Sequence, residues 1–113
     1  MSVKQSSELL TIDLIRGAIG ELLHNSEANL DQTAGALGLS ARTLQRRLSE
    51  QGLSYSRLLA EMRFLKAREL IQRQEKISDV ALRLGYADAG SFTRAFERWA
   101  GMSPRQYRKR HCQ

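Results

Sequence analysis

A chain of 113 residues with 42% hydrophobic and 27% charged side chains has room for one ordinary domain, or for two small helical units that share an element, and none for a separate ligand domain. Its formal charge of +6 is unevenly placed: residues 1–39 set Lys4 and Arg16 against Glu8, Asp13, Glu21, Glu27 and Asp31, a net −3, so the remainder carries +9, the footprint of a polyanion binder. The single cysteine, Cys112, excludes an intramolecular disulfide, and the lack of a membrane-length apolar run or a signal-peptide core points to a cytoplasmic chain with no membrane partner.

Leu10, Leu14, Ile15, Ala18, Ile19, Leu22 and Leu23 recur at helical spacing, which predicts a first helix ending at Leu23 and capped by Thr11 or an earlier serine. Gly17 and Gly20 lie within it, each costing about 1 kcal/mol relative to alanine, a sign of close packing or of a marginal helix. After the polar loop "HNSEAN", Asn29 and Gln32 have capping-box spacing and open a short helix with Leu30, Thr33, Ala34 and Leu37 facing inward. Gly38 stops it, Leu39 follows as an apolar plug, and Ser40 caps a second helix whose Leu44 and Leu48 point to the same core. Gly52 ends that helix. Leu58, Leu59, Met62, Leu65, Ala67, Leu70 and Ile71 then sustain the helical period from about Tyr55 to Arg73, the longest element.

The pattern returns in the last third. Ile77, Val80, Ala81 and Leu84 line a short helix, Gly85 ends it, Tyr86 takes the role of Leu39, and Asp88 caps a helix with Phe92, Ala95, Phe96 and Trp99 on one face. Gly101 closes that helix, and Ser103, Pro104 and Gln106 open a final short one that holds Tyr107. Ala34 and Gly38 pair with Ala81 and Gly85 at an offset of 47, whereas Leu44 and Arg46 pair with Phe92 and Arg94 at 48, so one residue was gained in the turn. Short helix, small residue, glycine turn, apolar plug, cap and longer helix with an outward arginine is the order of a helix-turn-helix. The alanines fit two helices that cross steeply at a tight turn.

"ISDVALRLGYADAGSFTRAFERWAGMSPRQYR", Ile77 to Arg108, resembles the signature of the AraC/XylS family of bacterial transcription regulators nearly end to end. "LSARTLQRRL" and the spacing of Arg63, Ala67 and Leu70 extend the resemblance from about Leu10 to Arg110. It implies an all-α, homeodomain-like fold of seven helices: a first helix-turn-helix subdomain at 8–53, a linker helix at 54–74 and a second subdomain at 75–110. It also implies a transcription regulator, more often an activator, bound to double-stranded DNA beside RNA polymerase. "RTLQRRL" and "FERWAGMSP" resemble the longer members, which carry an N-terminal effector or dimerisation domain. The family also includes small stand-alone regulators; the likeness to the longer members implies a C-terminal domain, monomeric in isolation, from a protein that can dimerise.

Two such units joined by a stiff helix can set two reading helices in successive major grooves. In the first unit the outward arc holds Ala41, Arg42, Gln45, Arg46 and Ser49; Arg42, Gln45 and Arg46 are the expected base contacts, since arginine pairs bidentately with guanine and glutamine with adenine. The equivalent arc of the second unit holds Ala89, Gly90, Thr93 and Arg94. Ala89 and Gly90 offer no side-chain donor and depart from the family's longer polar residues there, so this unit is expected to lean on Arg94, thymine methyl contact and backbone approach, leaving most specificity in the first unit. Phosphate contacts are expected from Ser40 and Arg47, from free N–H groups and hydroxyls at Ser54 and Ser56, from Ser103 with Arg105, and from Lys109 and Arg110.

Trp99, Phe92, Phe96 and Tyr107 have helical spacing that assigns them to a core rather than to base stacking. His24 and His111 fall in a loop and a tail, no Cys/His set has metal spacing, and no glycine loop could cradle a phosphate, so no catalytic residue, metal or cofactor is expected. The rival reading is a helical module that keeps the fold but offers its basic face to an acidic protein.

Overall fold

Seven helices and no strand occur among the residues that this computed structural model describes, 12–24 and 27–111. They are α1 (Ile12–Leu23), α2 (Leu30–Ala36), α3 (Ala41–Glu50), α4 (Tyr55–Gln72), α5 (Ile77–Arg83), α6 (Ala89–Ala100) and α7 (Pro104–His111). Leu10, the Thr11 or serine cap of the first helix, residue 8 as a domain start, part of the "HNSEAN" loop and Cys112 lie outside the described residues.

Local hydrogen bonds explain why α2, α3, α6 and α7 begin where they do. The backbone N–H groups of Gln32, Thr43 and Ser91 donate to the side chains of Asn29 (2.8 Å), Ser40 (3.1 Å) and Asp88 (2.7 Å), each relieving an otherwise orphaned first-turn donor. At α7 the exchange runs both ways: Gln106 N–H donates to Ser103 Oγ at 3.1 Å and Ser103 N–H donates to Gln106 Oε1 at 3.0 Å, a complete capping box behind Pro104.

The chain divides into two compact units, and the division falls inside α4, between Met62 and Arg63. In the first unit Ile15, Ile19 and Leu23 of α1 pack with Ala34, Leu44, Leu48 and Leu58, all at most 2% exposed. Thr33 is fully buried, and its hydroxyl shares a 2.7 Å hydrogen bond with the Tyr55 hydroxyl, which removes the cost of an unpaired polar group in that core. Arg16 Nη2 reaches Glu61 at 3.3 Å and so ties α1 to the first half of α4.

The second unit packs Ala67, Leu70 and Ile71 of α4 with Val80, Ala81, Leu84, Phe92 and Phe96. Aromatic edges organise it: Phe96 meets Tyr107 nearly perpendicular at 5.5 Å, and Tyr86 meets Phe92 at 5.5 Å. Arg108 Nε donates to the Ile71 carbonyl at 3.3 Å and Nη2 donates to the Glu75 carbonyl, so α7 caps the C-terminal end of α4 with a cation.

Three apolar residues differ from the periodicity-based expectation. Leu14 is 47% exposed, because Ile15, Ile19 and Leu23 form the buried stripe and Leu14 lies on its flank. Leu65 is 40% exposed: two residues from Ala67 it is rotated about 200° from the stripe that Ala67, Leu70 and Ile71 bury. Trp99 is 42% exposed, although its ring stacks on Phe64 at 5.9 Å and 19°.

Glycines separate into opposite roles. A Cβ at Gly17, in the middle of α1, would meet nothing within 4 Å, so close packing does not explain that residue. Gly85 has φ +93°, and a Cβ there would lie 3.1 Å from Arg63 Nη2, whose guanidinium rests 4.8 Å from the Tyr86 ring centre. Gly17→Ala should therefore stabilise the protein by about 1 kcal/mol. Gly85→Ala should destabilise it by roughly 1–2 kcal/mol through left-handed strain alone, and by more if Arg63 must leave the ring. Urea unfolding of both variants checks the opposite signs.

Candidate nucleic-acid interface

Both turns are built on the same backbone device. Leu39 N–H donates to the Ala34 carbonyl at 2.8 Å, and Tyr86 N–H donates to the Ala81 carbonyl at 3.0 Å, each bond closing over a glycine of positive φ, Gly38 at +72° and Gly85 at +93°. This six-to-one bond is the Schellman closure, and the apolar residue that makes it tucks back against its own unit. Ala34 and Ala81 are at most 1% exposed, leaving no room for a longer side chain where the helices cross. From Gly38 the cap Ser40 comes two residues later; from Gly85 the cap Asp88 comes three residues later. The gained residue is thus in the stretch Tyr86–Ala87, after the shared closure and before the cap.

That device fixes which side of α3 faces out. Leu44 and Leu48 are buried, while Arg42, Gln45, Arg46 and Ser49 are exposed on the opposite side, and Arg47 is half-buried. Arg46 Nε stands 4.0 Å from Glu50 Oε2, with both side chains mostly in solvent. On α6, Phe92, Ala95 and Phe96 are buried, while Ala89, Gly90 and Arg94 are exposed and Thr93 is half-buried. Arg94 Nη2 donates to Ser91 Oγ at 3.4 Å. The Asp88 carboxyl is held below its ordinary range, chiefly by the hydrogen bonds from the Ser91 backbone and side chain and further by the Arg94 charge.

The polar groups expected at phosphates are spread over several places. Ser40 Oγ accepts from Thr43 N–H and donates to Thr43 Oγ1 at 2.9 Å. Ser54 Oγ accepts from Arg57 N–H at 3.3 Å and lies 3.5 Å from Ser56 Oγ, on the exposed start of α4. The Ser103 amide is engaged in the capping box, donating to Gln106 Oε1. Ser103 and Arg105 line a depression of about 600 Å³ together with Ala89 and Thr93 of α6 and with Lys76 and Ser78 at the start of α5. Lys109 and Arg110 line a different one, beside Gly101 and Met102.

Lys76, Ser78 and Arg57 were not singled out by sequence. Each is exposed at a helix start, and a cation or hydroxyl in the first turn beside a cap is the signal that could have found them. Among the described residues no group of three His, Cys, Asp or Glu could hold a metal ion, and no helix is long and apolar enough to cross a membrane.

A family model described as a helix-turn-helix domain matches residues 17–110. The HTH-type transcriptional regulator VirS of Mycobacterium tuberculosis is 36% identical over 103 residues, 90% of this chain and 30% of that protein. The HTH-type transcriptional activator RhaS of Escherichia coli is 40% identical over 85 residues, 74% of this chain and 31% of that protein. The chain thus spans less than a third of the length of these relatives. The DNA-binding domain of AdpA, a global transcriptional factor solved in complex with a target DNA, superposes with a TM-score of 0.69 at 27% identity, covering 88% of this chain and 95% of that one.

Arg105 and Arg108 both line the larger depression, but only Arg108 caps the C-terminal end of α4. Arg108→Ala should lower the unfolding free energy by about 2 kcal/mol, the scale of a charged hydrogen bond left unmade. Arg105→Ala, at an exposed position, should change it by less than about 0.5 kcal/mol. Chemical denaturation of the two variants separates the structural arginine from the available one.

Proposed function

Because the chain belongs to the AraC-type helix-turn-helix family, whose members are transcription-regulator DNA-binding domains, we propose that it binds double-stranded DNA sequence-specifically, with α3 and α6 entering two successive major grooves. The observation that carries this reading is the doubled turn: two independent copies of one closure each present an arginine, Arg46 and Arg94, on the solvent side of a helix whose other side is buried. Successive grooves are about 34 Å apart on one face of a duplex. The 18-residue helix α4, about 27 Å long, is a connector of suitable scale.

Arg42, Gln45 and Arg46 read bases in the first groove. In the second, Arg94 supplies the hydrogen bonds, while Ala89, Gly90 and Thr93 permit close approach and methyl contact. Ser40, Arg47, Ser54, Ser56, Ser103, Arg105 and Lys109 meet phosphates, with Lys76, Ser78 and Arg57 added to that set by their positions. Ser103 contributes its hydroxyl rather than its amide. The reading places no catalytic step, metal or cofactor in the chain. It gives the domain a monomeric mode on DNA, in the cytoplasm, within a longer protein able to dimerise. Activation is the regulatory mode supported by the likeness to RhaS, which is named an activator, and a position beside RNA polymerase is the further part of this proposal.

Arg46→Ala tests the reading on a duplex selected from random-sequence pools. It should cost about 1–3 kcal/mol on the selected site with little change on random DNA. Arg105→Ala should weaken both equally and reduce the salt dependence by about one unit. A scan of base substitutions should find larger penalties in the half read by α3. Site preference unchanged by Arg46→Ala would favour a module that meets an acidic protein instead.

A further inference from the structure

The pseudo-equivalent arginines of the two reading helices are engaged from opposite ends. Arg46 has its acidic neighbour one turn ahead, at Glu50. The position 48 residues after Glu50 is Arg98, and the second unit's acid on that side is its neighbour Glu97, three residues after Arg94. The second unit also has an acid at the cap, Asp88, where the first unit has the neutral Ser40.

Around Arg94 these substitutions build a small frame. Ser91 N–H donates to Asp88 Oδ1 at 2.7 Å, and Arg94 Nη2 donates to Ser91 Oγ at 3.4 Å, drawing the guanidinium back one turn toward the start of α6. A Cβ at Gly90 would lie 3.5 Å from both Arg94 Nη1 and Asp88 Oδ1. Both distances are ordinary van der Waals contact, so guanidinium and carboxylate stand on either side of Gly90 without crowding it. The Arg94 charge contributes to holding the Asp88 carboxyl below its ordinary range, which fits a cation standing close by.

We propose that Asp88 and Ser91 are positioning residues that hold Arg94 over the first turn of α6, so that its remaining N–H edge addresses a guanine near the N-terminal end of that helix. A guanidinium carries five N–H donors in a fixed fork, so one side can be held by the protein while another pairs with guanine O6 and N7. Holding it in advance reduces the rotamer freedom lost on binding. Arg46, engaged from Glu50, addresses its base toward the other end of α3. The two copies of one motif thus read at different heights along their helices. This assignment rests on Arg94 reading a base.

The test uses the full chain on the duplex selected from random pools, with every base pair substituted in turn and a random duplex as reference. The variants are Arg94→Ala, Asp88→Asn, which keeps a capping side chain but removes the charge, Ser91→Ala and Ser91→Thr, each first shown by thermal unfolding to be folded. Arg94→Ala should abolish the preference for guanine at one base pair. Asp88→Asn and Ser91→Ala should each reduce that same preference at least threefold, with binding to the random duplex within twofold of the parent, and Ser91→Thr should restore it. If Arg94→Ala abolishes the preference while Asp88→Asn and Ser91→Ala leave it intact, the positioning role is refuted and Arg94 remains a reader. If Asp88→Asn tightens binding equally on all duplexes, Asp88 acts only by repelling phosphates and the proposal is overturned. If Arg94→Ala changes no base preference, the reading beneath the proposal fails first.

Discussion

One hydrogen bond in each unit decides the rest: an amide five residues along donates back to the carbonyl of a buried alanine, over a glycine held at positive φ. The bond turns the chain sharply, and the buried alanine shares its core with the apolar side chains of the second helix. Once the crossing is fixed, so is the roll of the second helix, since Leu44 and Leu48 in one unit and Phe92 and Phe96 in the other must enter their cores. The arginine two residues beyond the first of each pair is thereby turned to solvent. Loss of the closure would release the helix as a whole, whereas loss of an arginine leaves the scaffold standing.

The copies have diverged in chemistry more than in backbone. Both keep the closure, and the second inserts its extra residue only after it. Polar groups differ more: a neutral cap and a long polar arc on α3, an acidic cap and a bare first turn on α6. A buried Thr33–Tyr55 pair braces the first unit, while an arginine over an aromatic ring and a cation on the end of α4 brace the second. Divergence of this kind suits an asymmetric site, in which two halves are read by different means from one chain.

Much of this was legible in the sequence because the informative signals are local. Asn29, Ser40, Asp88 and the Ser103–Gln106 pair cap within three residues, and Gly38, Gly85 and Gly101 stop helices where their left-handed backbone requires it. The outward arcs of both reading helices followed from their buried stripes. What escaped depends on what stands opposite a residue. Periodicity placed Leu14, Leu65 and Trp99 inward, but period alone does not reveal where a neighbouring helix ends, and each is substantially exposed. Nor does it pair Arg108 with carbonyls more than thirty residues away or bring Lys76 and Ser78 beside Arg105, contacts made by tertiary packing.

The central claim is that a single chain grips two neighbouring major grooves. Hydroxyl-radical footprinting at stoichiometric concentration, titrated against duplex, measures this most directly. The account predicts two protected patches on one face of the duplex, about 10 base pairs apart, appearing together at one chain per duplex. A single protected patch at that ratio, with the second appearing only when another chain is added, would contradict it.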